Sequence, residues 1–135
     1  MTKTILDASG WIEYLRGGFL ADKVEKVLDE EECYTSLVTL AEITSKVKRK
    51  GYDPHVAFRV ITTHSNILPL TLEDAFQLGI LHAEERMKKP SFGFGDATLL
   101  AMARKIGGKI LTKDAHFKDK KEAIMLNKDI PSVFN

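Results

Sequence analysis

Four acidic residues in this sequence occupy positions from which they could act together. Asp7 directly follows the apolar stretch "TKTIL", and Asp114 closely follows the apolar stretch "KILT". Asp96 stands at the start of the helical segment "DATLLAMARKI", and Glu42 lies inside "SLVTLAEITSKV". Because neighbouring strands of a parallel sheet end at the same edge, we expect the carboxylates that follow them to meet there.

A cluster of four carboxylates would require a cation, because like charges in one cleft repel each other unless they are neutralised. Hard oxygen ligands favour Mg²⁺ or Mn²⁺ over Zn²⁺. A bound divalent ion with open positions can activate water and neutralise a phosphate oxygen, as hydrolysis of a phosphodiester requires. The histidines lack the spacing of a metal-ligand pair, and the one nearest the cluster, His116, is predicted to be an ordinary loop residue.

Each of these acidic residues also has a purely structural interpretation. Asp7 and Asp96 could cap helices, and Asp114 could stabilise a turn. Glu42 could form a surface pair with Lys46, four residues later on the same helix. Independent caps have no reason to converge on one sheet edge, so it is their joint placement that favours a site.

Short apolar runs alternate with longer segments of helical periodicity, a pattern typical of a parallel sheet covered by helices on both faces. Capping signals support several boundaries, among them Asp53-Pro54 and the pair Thr71 and Asp74. The α/β pattern continues through residues 1–135, which we interpret as a single domain. The predicted strands are 2–6, 33–36, 66–70, 109–112 and 123–126, and the predicted helices are 9–15, 20–29, 37–50, one from residue 54, 72–88 and 96–106.

The composition favours a cytoplasmic protein with an ordinary hydrophobic core. Hydrophobic residues make up 44% of the 135 residues, and the formal net charge is +1. The single cysteine, Cys33, is expected to be a buried, inert thiol, which fits a reducing compartment. No stretch is long and apolar enough to predict a membrane span. Basic residues near the predicted cluster are candidates for phosphate contacts: Lys46, Lys48, Arg49 and Lys113.

Three segments, "ILDASGWIEYL", "SLVTLAEI" and "FGDATLLAMARKIGGKILTKDAHF", resemble the PIN-domain nucleases in their order and spacing. The resemblance is greatest to the VapC-like toxins of prokaryotic toxin–antitoxin pairs. It implies a three-layer α/β/α sandwich with a central, mostly parallel sheet. It also implies endonucleolytic cleavage of RNA, with Mg²⁺ or Mn²⁺ in an acidic pocket, and a homodimer with paired active sites.

Carried over residue by residue, the resemblance makes the four acidic residues the catalytic and metal-binding carboxylates. It makes Ser9 and Thr112 hydroxyl donors that support them. Asp119 could add a further acid, although its spacing is unusual. The glycine-rich approach to Asp96, "SFGFGDA", departs from the usual polar approach of the family.

Other functions remain possible at the level of sequence. A phosphotransfer enzyme would need a second Asp two residues after Asp7, where Ser9 stands. A receiver-type signalling domain would need an Asp after the strand "NILPL", which has none. A catalytically inactive RNA- or protein-binding module and a housekeeping RNA-processing nuclease are the remaining alternatives.

Two partners are expected, a second copy of the chain and, if the protein is a toxin, an antitoxin. The apolar stripes Leu20–Leu28 and Leu72–Met87 could bury area against a second copy. An antitoxin would dock an amphipathic helix beside the helices of this domain and direct a basic side chain towards Asp7 and Asp96.

Overall fold

The computed structural model describes residues 2–127, in which five parallel strands form one sheet in the order β3-β2-β1-β4-β5. Strand β1 is central: Ile5 pairs with Tyr34 of β2 on one side and with Ile110 of β4 on the other. The strands are β1 (Lys3–Leu6), β2 (Glu32–Ser36), β3 (Asn66–Leu68), β4 (Lys109–Thr112) and β5 (Ala123–Met125).

Pairs of helices connect the first four strands. A short 3₁₀ turn, Ala115–Phe117, follows β4. Helix termini carry the expected signals, including a capping box at Thr71 and Asp74 and a left-handed Gly107 after the sixth helix. The helices are α1 (Ala8–Leu15), α2 (Ala21–Glu30), α3 (Leu37–Arg49), α4 (Pro54–His64), α5 (Leu72–Lys88) and α6 (Phe94–Ile106).

The helices form two layers because strand side chains alternate between the faces of the sheet. Leu6 and Leu111 face a core that includes Trp11, while Ile5 and Ile110 face a second core built largely from α6. The chain moves outwards from β1 to β3 and then returns across β1 to β4. Since parallel crossovers are right-handed, this reversal places the later helices on the opposite face. The predicted α/β/α sandwich is confirmed.

Observed boundaries differ from the predicted ones by small amounts with clear causes. Strand β3 ends at Leu68, because Pro69 has no N–H to donate to a ladder. Helix α6 begins at Phe94, two residues earlier than predicted, because the Asp96 carboxylate accepts the Gly93 N–H and draws the preceding residues into the first turn.

The two predicted apolar stripes differ in their exposure to solvent. Leu20 and Val24 are packed in the core beneath α2, so the stripe Leu20–Leu28 is not free to bind a second copy, and that prediction was wrong. On α5 the stripe faces outwards instead, with Leu72, Phe76 and Met87 strongly exposed. Helix α5 therefore presents an apolar surface that the described residues do not cover.

Two further expectations can be compared with the structure. Cys33 is buried as predicted, and burial raises the pKa of its thiol to about 11, which disfavours the reactive thiolate. Among residues 2–127, no helix is both long enough and apolar enough to cross a membrane.

Candidate active site

Asp7 is buried at the carboxyl end of β1, where it also caps α1. Its Oδ1 accepts hydrogen bonds from the Gly10 N–H at 2.9 Å and from Ser9 Oγ at 2.7 Å. Its Oδ2 accepts a hydrogen bond from the Thr112 hydroxyl on β4. Both hydroxyl residues predicted to support the cluster therefore contact this carboxylate directly.

Thr112 joins two of the predicted acidic residues. While its hydroxyl donates to Asp7, its oxygen accepts the Asp114 backbone N–H at 2.8 Å. Asp114 begins the 3₁₀ turn after β4, and its Oδ1 accepts the His116 N–H at 2.9 Å. The pairing of β1 with β4 thus holds Asp7 and Asp114 beside each other at the edge of the sheet.

Asp96 and His116 form the third part of the site. Asp96 Oδ2 accepts the Gly93 N–H at 3.0 Å and lies 2.8 Å from His116 Nδ1. The same Nδ1 lies 3.5 Å from Asp114 Oδ1. The side chain of His116 therefore bridges the carboxylates of α6 and of the loop after β4, which contradicts its interpretation as an ordinary loop residue.

Glu42 approaches from α3 and lies against the first turn of α6. A Cβ placed on Gly95 would be only 3.2 Å from Glu42 Oε2 and 3.4 Å from Oε1. Although Glu42 is exposed as a whole, its carboxylate turns towards Asp96. A glycine immediately before Asp96 thus makes room for the carboxylate of another helix, which accounts for Gly95 in the "FGFGD" segment.

The electrostatics of this edge disfavour the charged forms. Burial raises the pKa of Asp7 despite three hydrogen bonds that lower it, and the charge of Asp114 raises it further. Desolvation also raises the pKa of Glu42, with further contributions from Asp96 and Asp7. The structure therefore brings all four predicted carboxylates close enough to repel one another.

The donor set fits a divalent cation. Ligand atoms of Asp96, Asp114 and His116 all lie within 4.8 Å of one another. Burial raises the pKa of Asp7 and of Glu42, and repulsion from neighbouring carboxylates raises both further. Such an excess of carboxylate oxygen is suited to Mg²⁺ or Mn²⁺.

Outside the cluster, Glu13 was not singled out by sequence reasoning, although it is buried next to the site. It accepts the Leu20 N–H at 3.0 Å and the Lys113 ammonium at 3.2 Å, which together hold its pKa below the usual range. The Lys113 N–H also donates to Ser9 Oγ at 2.9 Å. Lys113 thus neutralises a buried carboxylate, and its contact with RNA stays a prediction.

A family model, the PIN domain, matches residues 4–123 of the chain. The chain belongs to the PIN domain family. This match spans β2, β3 and β4 in full, most of β1 and all four clustered carboxylates, and membership supports a nuclease function. No curated protein sequence is significantly similar to this PIN domain.

Solved structures with the same fold include toxin–antitoxin proteins. A chain of VapBC2 from Rickettsia felis, bound to a DNA fragment from the promoter, has a TM-score of 0.73 at 16% identity, covering 92% of this chain and 97% of that one. DNA-bound VapBC from Salmonella typhimurium has a TM-score of 0.72 at 18% identity, with 93% and 99% covered. VapC20 of Mycobacterium tuberculosis, a sarcin–ricin loop cleaving toxin, has a TM-score of 0.65 at 20% identity, with 88% and 95% covered.

Asp119 has a different environment from the clustered acids of this PIN domain. Lys89 Nζ contacts Asp119 Oδ1 at 2.6 Å and also donates to the His116 carbonyl oxygen at 2.9 Å. This lysine lowers the pKa of Asp119. Asp119 is therefore held in an ion pair at the base of the 3₁₀ turn, and it is not among the grouped ligand atoms found in residues 2–127.

Proposed function

We propose that this PIN domain is a Mg²⁺- or Mn²⁺-dependent endoribonuclease and the toxin of a toxin–antitoxin pair. The convergence of four carboxylates from four separate segments on one sheet edge carries the proposal. Burial and mutual repulsion raise the pKa of Asp7 and Glu42, which favours a bound cation. The reaction is hydrolysis of an RNA phosphodiester bond.

We assign metal binding and catalysis to Asp7, Glu42, Asp96 and Asp114. When bound, a divalent ion would activate water and neutralise charge on the phosphate. Thr112 and Ser9 hold the Asp7 carboxylate in one orientation through their hydroxyl groups. The caps made by Asp7, Asp96 and Asp114 fix each carboxylate to the end of a helix or turn, so little reorganisation is needed when substrate arrives.

The basic residues of α3 provide a path for the RNA backbone. Lys46 and Arg49 lie four and seven residues after Glu42, so they share its side of the helix at about 100° per residue. Lys48 projects from another side and would contact more distant phosphates. Contacts of this kind position the nucleic acid without reading its sequence.

The nuclease proposal is tested by incubating the purified protein with mixed RNA in Mg²⁺, in Mn²⁺ and in a chelator. We expect cleavage only with metal, and its loss in Asp7→Asn, Glu42→Gln, Asp96→Asn and Asp114→Asn with an unchanged far-UV spectrum. Asp53→Asn is a matched control, because Asp53 also caps a helix but is exposed and lies outside the cluster. RNA binding without cleavage in either metal would favour the inactive binding module instead.

An antitoxin partner is supported by a groove between α1, α3 and α4. The groove has a volume of about 580 Å³ and an apolar floor that includes Ile12, Leu15 and Val47. Arg16 and Lys46 contribute positive charge to its lining. An amphipathic helix could bury its apolar face here and extend a basic side chain to the carboxylates.

The toxin role is tested by co-expressing the chain with the product of an adjacent small open reading frame. We expect growth arrest when this chain is expressed alone and co-purification of the pair when both are expressed. A chain that is harmless on its own and ignores that neighbour, yet still cleaves RNA, would indicate the housekeeping nuclease.

A further inference from the structure

His116 occupies the space between two of the proposed metal-binding carboxylates. Its Nδ1 lies 2.8 Å from Asp96 Oδ2 and 3.5 Å from Asp114 Oδ1. Ligands on adjacent corners of an octahedron around a small divalent ion are about 3 Å apart, given bonds of about 2.1 Å. His116 Nδ1 therefore lies at nearly the spacing of a neighbouring ligand from each carboxylate oxygen, and all three atoms lie within 4.8 Å of one another.

We propose that His116 is a nitrogen ligand of the divalent ion and that it makes the site favour Mn²⁺ over Mg²⁺. The inference rests on the proposed metal dependence and adds a donor that the four carboxylates do not include. Mg²⁺ binds oxygen almost exclusively, whereas Mn²⁺ stands at the start of the transition series and also accepts imidazole nitrogen. One nitrogen ligand thus costs Mg²⁺ more than it costs Mn²⁺.

The imidazole ring is oriented for this role. Its Nε2 lies 3.1 Å from Ser91 Oγ, so with an ion bound Ser91 can accept the Nε2 proton and leave the Nδ1 lone pair for the ion. Without an ion, Nδ1–H would instead donate to Asp96 Oδ2 at 2.8 Å. The ring also lies beside the buried Phe92, with centroids 6.3 Å apart.

The backbone of His116 is equally constrained. Its N–H donates to Asp114 Oδ1, and its carbonyl oxygen accepts a hydrogen bond from the Lys89 ammonium. Since Lys89 also pairs with Asp119, the position of the turn depends on an ion pair outside the cluster. This arrangement gives Asp119 an indirect role: it holds Lys89, which holds the turn that carries the histidine.

Direct evidence would come from pulsed electron paramagnetic resonance of the wild-type protein loaded with Mn²⁺. We expect a ¹⁴N coupling from a coordinated imidazole, and its loss in His116→Gln. The coupling can be assigned to His116, because among residues 2–127 it is the histidine whose ring nitrogen is grouped with the carboxylate oxygens of Asp96 and Asp114. This measurement needs neither RNA nor turnover.

Affinity for each ion provides the second measurement. By calorimetry we expect His116→Gln to bind Mn²⁺ about tenfold more weakly, while its Mg²⁺ affinity changes by less than about twofold, because glutamine offers an oxygen donor instead. His55→Gln is the matched control, since His55 also pairs with an aspartate, at 3.1 Å, but in an exposed position.

The outcomes separate this inference from the proposed function. If the wild type binds Mn²⁺ without ¹⁴N coupling, or if His116→Gln weakens both ions equally, His116 is not a selective ligand, while the carboxylate site stands. If the wild type binds neither ion, both the inference and the metal dependence are overturned. Should His116→Gln prove unfolded in a chelator, the wild-type spectrum alone decides.

Discussion

At the scale of single residues, the structural and functional interpretations of the acidic residues turn out to be compatible. Asp7 caps α1, Asp96 completes a capping interaction on α6, and Asp114 caps the 3₁₀ turn. Each cap uses one oxygen to hold the carboxylate in place and leaves the group at the shared edge. Since asparagine also caps well, Asp→Asn variants should keep the fold while removing charge.

Substitution of Thr112 tests how much one hydroxyl group contributes to folding stability and to metal affinity. We expect Thr112→Val to lose about 1 to 3 kcal/mol of stability, because it removes a donor from the buried Asp7 carboxylate and an acceptor from the Asp114 N–H. Metal affinity should fall about tenfold or more, since supporting hydrogen bonds orient the ligands. Chemical denaturation and calorimetry measure the two effects.

Thr4 on β1 is the matched control for that variant. It is equally buried, but its hydroxyl oxygen has no hydrogen-bond partner within the part of the chain that the structure describes. Thr4→Val should therefore leave stability unchanged or raise it. Equal changes in stability in the two variants would mean that the hydrogen bonds of the Thr112 hydroxyl do not contribute to stability.

The raised pKa of Glu42 predicts how stability depends on pH without metal. A folded-state pKa above that of the unfolded chain means that the folded state binds the proton more tightly. Protonated Glu42 therefore contributes to the stability of the fold. This contribution is complete below about pH 4, and it is lost as the pH rises through the folded-state pKa. In a chelator, Glu42→Gln should melt higher than the wild type at pH 7 and equally at pH 4.

Two controls accompany this pH experiment. With saturating Mn²⁺ at pH 7, the wild type should melt at a higher temperature than Glu42→Gln, because only the wild type keeps all four carboxylates for the ion. Glu25→Gln, on the exposed side of α2, should follow the wild type throughout. A melting difference that is the same at both pH values would contradict the electrostatic explanation.

At the scale of elements, the contact between α3 and α6 depends on the absence of a side chain. Gly95→Ala should not lower stability without metal, since alanine is favoured in helices. Its methyl group would lie 3.2 Å from Glu42 Oε2, so the carboxylate must move by a few tenths of an ångström. We expect metal affinity to fall several-fold, as calorimetry would measure.

Helix α5 contains the control for this substitution. A Cβ on Gly79 would meet nothing within 4 Å, so Gly79→Ala should gain up to about 1 kcal/mol without affecting metal binding. If Gly95→Ala bound metal as tightly as Gly79→Ala does, the approach of Glu42 to α6 would not matter for the site.

At the scale of the whole molecule, the exposed face of α5 is the feature most in need of a partner. Phe76 is 64% exposed and Leu72 is 91% exposed. On the same helix Asp74 and Glu85 are buried, and they form ion pairs with Lys105 and Lys120, respectively. The helix therefore turns part of its apolar side outwards. Exposed apolar surface of this kind is typical of an interface.

We expect the protein to form a homodimer through this face of α5. Phe76→Glu should convert the dimer to a monomer in light-scattering measurements, because two copies of the charge would face each other across a two-fold axis. Phe58→Glu on α4 is the control, since Phe58 is similarly exposed at 51%. A wild type that is monomeric at high concentration would contradict the dimer.

The amino-acid sequence by itself determined the elements and the acidic residues. Apolar runs before Asp7 and Asp114 predicted strands, capping signals at Asp53 and Thr71 predicted helix starts, and all four carboxylates were named from their positions. The predictions of elements succeed because periodicity and capping act within a few residues. The catalytic and metal-binding roles of the four carboxylates stay predictions.

Tertiary structure alone decided which residues meet. Strand order placed β4 beside β1, so that Thr112 reaches Asp7, a contact between residues 105 positions apart. Tertiary packing also placed His116 next to Asp96 and paired the buried Glu13 with Lys113. It left the apolar stripe of α5 exposed. Such contacts depend on how whole elements pack against one another, and no local pattern in the sequence encodes that packing.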